Sequence, residues 1–135
     1  MPFDGTAQRG YLGLDDALLD MVEFALDGGK QWCQRGLEIG DKRCLFGSAL
    51  FVQHETGCFS VHVFRYLAQA IDRWRVRRGL APLDLTDYYK IAAFNDGKDR
   101  SFEDIIAVIR NARELAQIDE YVRRMESRKL AVRRR

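Results

Sequence analysis

The sequence predicts an all-α fold, a single compact domain of about five helices, and three observations predict it. Only two prolines, Pro2 and Pro82, interrupt 135 residues, so long windows stay open to helix. Glycine-containing turns divide those windows into segments whose apolar residues recur every three or four positions, which is the helical period. Ser101 and Asp104 frame the start of the last segment as a capping box, with aspartate in the place of the usual glutamate. A chain of this length can bury one core without disulfide or metal staples. Its 47% hydrophobic and 31% charged residues exclude wholesale disorder.

Residues 1–13 hold no sustained period and read as a loose lead-in to a helical domain over 14–125. The first helix starts at Leu14. Leu18, Met21, Val22 and Ala25 share a face, Asp15 and Asp16 sit where the helix dipole favours acids, and Gly28-Gly29 ends it. Lys30 to Gln34 is a connector or a short extended piece. Gly40-Asp41 makes a turn, with Asp41 as the expected N-cap of a second helix over Cys44 to Val52. That helix is apolar nearly all round, which predicts a central position. Gly47 in its middle costs up to about 1 kcal/mol relative to alanine, so it predicts the close approach of a neighbouring backbone or aromatic ring.

A break over His54 to Cys58, holding Gly57, precedes a long amphipathic helix from Phe59 to Arg78. Val63, Leu67, Ala70, Ile71 and Trp74 face inward and Gly79 caps the end. After a connector containing Pro82, Asp87 to Phe94 reads as a short helix capped by Thr86 or Asp84, with a strand as its rival. Asn95-Asp96-Gly97 is a turn. The last helix runs from Phe102 at least to Met125, long enough for its basic end to project past the body, and carries a stripe from Ile105 through Val108, Ile109, Ala112, Leu115 and Ala116 to Tyr121 or Val122 and Met125. A basic tail over 126–135 completes the chain.

The formal net charge of +2 hides an asymmetry. Arg123, Arg124, Arg128, Lys129, Arg133, Arg134 and Arg135 face only Glu126 between Tyr121 and the end. The first 120 residues hold fifteen basic and nineteen acidic side chains, a charge of −4. A basic end on a mildly acidic body predicts a macromolecular partner, protein or nucleic acid. No helix-turn-helix, GxxxxGK[ST] or GxGxxG pattern is present. No run approaches the roughly 18–20 apolar residues of a membrane span, and three scattered cysteines, Cys33, Cys44 and Cys58, suit reduced thiols, so a cytoplasmic protein away from membranes is expected.

Candidate chemistry is sparse. His54, Cys58 and His62 fall at successive spacings of four, with Cys44 upstream, and thiolates with imidazoles are zinc ligands. Gly57 breaks the helix between them and Cys44 sits in an apolar run, so neither a metal nor another cofactor is expected. No local motif supports a cysteine nucleophile. Asn95 and Asp96 read as a helix closure and a turn cap that clamp the core.

Trp32-Cys33-Gln34, then Arg43-Cys44-Leu45-Phe46-Gly47-Ser48-Ala49, then Phe94-Asn95-Asp96 followed by Ser101 and the helix from Asp104 to Ala112, give a W-C, C-L-x-G-A, F/W-N-D order. That order resembles an uncharacterised domain-of-unknown-function family associated with actinobacterial and phage genomes. The resemblance covers roughly Leu14 to Ala116, leaves out the basic tail, and has Ser48 where an alanine is expected. It implies a mostly helical bacterial or phage domain and carries no activity. The expected function is a non-enzymatic interaction or regulatory protein that contacts its partner through the basic C-terminal residues. The alternative is a small-ligand-binding protein or enzyme with a pocket near Cys44, His62, Asn95 and Asp96.

Overall fold

Helical periodicity, glycine breaks and the one capping box are all realised in the computed structural model, which describes residues 10–134. Five α-helices form: α1 (Leu14–Ala25), α2 (Leu45–Thr56), α3 (Val61–Arg77), α4 (Asp87–Asn95) and α5 (Phe102–Arg133). A single 3-10 turn, Asp27–Gly29, follows α1. A two-stranded antiparallel hairpin, β1 (Glu38–Ile39) and β2 (Lys42–Arg43), precedes α2. Residues 1–9 of the expected lead-in and Arg135 lie outside the described residues.

The hairpin corrects the expected cap of α2. Gly40, at φ +64, and Asp41 form the two-residue turn between the strands, so Asp41 is not available to α2. Cys44 takes the N-cap instead: its Sγ accepts the Gly47 N–H at 3.2 Å. The segment around Trp32 is extended and joins the second strand, because the Cys33 N–H donates to the Arg43 carbonyl and the Arg43 N–H to the Gln31 carbonyl. Two-residue strands carry too little periodicity to be seen in the sequence.

α2 continues through His54 to Thr56, and Gly57 stops it in the left-handed conformation at φ +68. α3 starts two residues later than Phe59, behind Ser60. The rival strand over Tyr88 to Phe94 does not form; that segment is α4. At α5 the capping box is complete, Ser101 Oγ accepting the Asp104 N–H and Asp104 Oδ2 accepting the Ser101 N–H.

The core joins Leu18, Leu19 and Val22 of α1 to Val63, Leu67 and Ile71 of α3, Ile91 and Phe94 of α4, and Ile105, Val108 and Ile109 of α5, with Leu45, Ala49 and Val52 from α2. The packing centre is α3 with the first half of α5, flanked by α1 and α4. α2 rests mainly on α1 and is not the hub that its composition predicts. It is apolar on two sides, but only one side is in the core; Leu50 remains 43% exposed on the other.

α1 and α5 run antiparallel and are tied by a part-buried polar clasp. Arg113 donates to Asp16 Oδ1 at 2.8 Å and to Asp20 Oδ1 at 3.0 Å, and Gln117 adds a bond to Asp16 Oδ1. Asp16 Oδ2 accepts the Leu12 N–H and Asp20 Oδ2 accepts the Tyr11 hydroxyl. Asp16 is fully buried with both oxygens bonded, as a buried charge requires. Further along, Arg110 reaches back to Glu23, so the C-terminal direction of α5 is past the start of α1.

Candidate functional site

Four places bear on function, and the residues that the sequence singles out fall in three of them. The first is a polar knot around Asn95. Its Oδ1 accepts from Trp32 Nε1 at 2.8 Å and from the Leu45 N–H at 3.0 Å, while Nδ2 donates to the Cys33 carbonyl and to Asp96 Oδ1. Asp96 Oδ1 also accepts the Arg35 N–H, and Gln34 Nε2 donates to the carbonyls of Asn95 and Gly97. Asn95 thereby satisfies one of the amide groups that every helix start leaves open, here on α2, from a side chain fifty residues away. All its donors and acceptors are spent on the protein itself, which is the core clamp expected of it.

Cys44 lies in the same region, capping α2. Burial pushes its thiol up from the ordinary value, and burial does the same to Cys33. A raised thiol is mostly protonated at neutral pH and a poor nucleophile. His62 is elsewhere, in the first turn of α3. It lines a cleft of about 410 Å³ together with Gly13, Asp15, Arg65, Tyr66 and Asp119. Cys44, Asn95 and Asp96 are therefore neighbours while His62 is not one of them. Among the described residues no group of three or more His, Cys, Asp or Glu side chains converges as a metal site would, so His54, Cys58 and His62 are not gathered. The cleft at His62 is mixed in sign: Tyr66 donates to Asp119, and Glu120 is held below the usual carboxylate range by its bond to Arg123.

The third place is the C-terminal end of α5. Burial along this helix stops at Ala116, and every residue from Tyr121 to Arg134 is exposed. The stripe that the sequence continues to Tyr121, Val122 and Met125 does not continue into the core, because the body of the protein ends first. Glu120 is packed against Gly13, the residue before α1, and the thirteen helical residues after it reach about 20 Å further at 1.5 Å each. The expected tail is helix throughout, to Arg133.

Apolar side chains on this end have a face of their own. At about 100° per residue, Ile118, Tyr121, Val122, Met125 and Val132 all lie within about 60° of the direction opposite Ala116. Tyr121 is 58% and Val132 70% exposed. Arg128 and Arg133 border this face and Lys129 stands within it. Arg123 and Arg124 share Glu120 at 2.6 and 3.0 Å; no ion pair is formed by Arg128, Lys129, Arg133 or Arg134 among the described residues. Sequence periodicity finds these apolar residues but not their direction, which depends on where the body stops.

The fourth place was not foreseen. Between the outer sides of α1 and α2 runs a groove of about 720 Å³ whose floor is Met21, Ala25, Phe51 and Val52. Phe24, 87% exposed, stands at its wall. Asp20, Asp27 and Glu55 also line it, and the Arg43 guanidinium, paired with Glu38, stacks 3.7 Å over the Phe51 ring. A smaller hollow at Leu37, Leu50 and His54 adjoins it through Phe51. The one available signal was the all-round apolar character of α2.

No described helix is long and apolar enough to cross a membrane. No curated protein and no solved structure matches the chain. The model of a family of unknown function, DUF6197, matches residues 16–115, from buried Asp16 to the point on α5 where burial gives out, and the chain belongs to that family.

Proposed function

We propose that this is a non-enzymatic interaction or regulatory protein that binds a macromolecular partner through the free end of α5. The observation that carries the reading is the exposed, apolar-faced and strongly basic helix beyond Ala116. A helix of about thirteen residues without tertiary contacts is marginal in water, and an exposed apolar face costs solvation free energy. A partner that covers this face offsets both. The apolar stripe favours a protein over nucleic acid, since phosphates would engage Arg128, Lys129, Arg133 and Arg134 but leave Tyr121, Val122 and Met125 wet. Three free cysteines suit a reducing compartment, and a cytoplasmic setting is part of the proposal.

The knot at Asn95 and the separated position of His62 lend no support to a pocket built from Cys44, His62 and Asn95. The test uses affinity capture with the full chain, with a variant carrying Arg128→Ser, Lys129→Ser, Arg133→Ser and Arg134→Ser, and with one carrying Val122→Ser and Met125→Ser. A captured protein that survives nuclease treatment and is lost with both variants supports the reading. A partner lost on nuclease treatment transfers it to nucleic acid. Capture that neither variant weakens overturns it.

A further inference from the structure

We propose that the groove between α1 and α2 receives the basic end of α5 from a second copy of this chain. The inference deepens the preceding reading, on which it rests, by naming the partner. Each half supplies what the other lacks. The groove has an apolar floor at Met21, Phe51 and Val52 and a carboxylate rim at Asp20, Asp27 and Glu55. The helix end has an apolar stripe at Tyr121, Val122 and Met125, with Arg128 and Arg133 along its edges. Docking a basic amphipathic helix in an acid-rimmed apolar groove buries both faces and sets opposite charges along the rim.

Two other arrangements are disfavoured by what the structure shows. A helix end cannot reach the groove of its own body, because α5 is unbroken to Arg133 and leads away past the start of α1. Pairing two helix ends stripe to stripe brings together two sets of four basic side chains, Arg128, Lys129, Arg133 and Arg134, that form no ion pair among the described residues. Like charges placed side by side repel, so the ends seek the acidic groove instead. Asp20 already holds Arg113 and Tyr11. Asp27 and Glu55 form no ion pair among the described residues and are the expected partners of Arg128 and Arg133.

Sedimentation velocity on the full chain and two variants tests this. Phe24→Glu blocks the groove at an exposed side chain, and Met125→Glu blocks the stripe beyond the folded body, so neither disturbs the core. The full chain is expected to self-associate, with affinity falling about tenfold or more between roughly 50 and 500 mM salt. Each variant alone is expected to be monomeric. Mixed, they are expected to form a one-to-one complex, since the intact helix of Phe24→Glu meets the intact groove of Met125→Glu. A full chain that stays monomeric, a Phe24→Glu variant that still dimerises, or a mixture that stays monomeric overturns the proposal. If the chain is monomeric yet the stripe variant still loses a captured protein, the docking of a second copy falls and the wider reading stands.

Discussion

Asn95 joins three segments through one side chain, and its removal leaves Trp32 Nε1, the Leu45 N–H and the Cys33 carbonyl without their partner. The Leu45 amide is buried and the other two groups part-buried, and a fully buried orphan costs about 1–3 kcal/mol. Asn95→Ala is therefore expected to lower unfolding free energy by about 3 kcal/mol or more in a denaturant titration; a loss below about 1 kcal/mol would contradict the knot. Gly47 presents the same logic in steric form. A Cβ there would collide with the Leu37 carbonyl, which accepts the Cys44 N–H and cannot retreat freely. Gly47→Ala is expected to cost about 2–3 kcal/mol, as overpacking does. Equal stability of Gly47→Ala and the parent in thermal melts would show that the hairpin can shift. The sequence marks Gly47 as a close approach and Asn95 as a closure. It does not reveal the Trp32 bond, because the partners are 63 residues apart and no local pattern encodes that distance.

Elements differ in how much of their character is local. α1, α3 and the first half of α5 each bury one periodic stripe, so sequence and structure agree to within a residue or two at most ends. α2 and the end of α5 depart from expectation in the same way: both carry apolar residues that the monomer does not cover. Removing residues 126–135 takes away only exposed side chains within the described region. At concentrations too low for the full chain to self-associate, the truncated protein is expected to melt within a few degrees of it, because surface residues change stability by only about 0.5 kcal/mol each way. It is also expected to lose self-association. A large fall in melting temperature would mean that the helix end packs on its own body. The hairpin was illegible for a different reason, since two paired residues per strand leave no alternation to read.

At the scale of the whole molecule, charge and shape divide the chain into a mildly acidic helical body and a projecting basic helix, and the family match ends where the body ends. The part-buried Asp16–Arg113–Asp20 clasp keeps α5 aligned along α1, which aims that projection. By itself, the sequence determined the helical class, the main helix boundaries, the capping box, the closure of α4 at Asn95 and the charge asymmetry. Each of these is either a local periodicity, a short-range hydrogen-bonding habit or a sum over residues. Only the tertiary structure decided which apolar faces stay open, that His62 stands apart from Cys44 and Asn95, and that α2 lines a groove beside α1 rather than the centre. Periodicity shows that a helix has an apolar face, whereas burial depends on which other elements arrive to cover it.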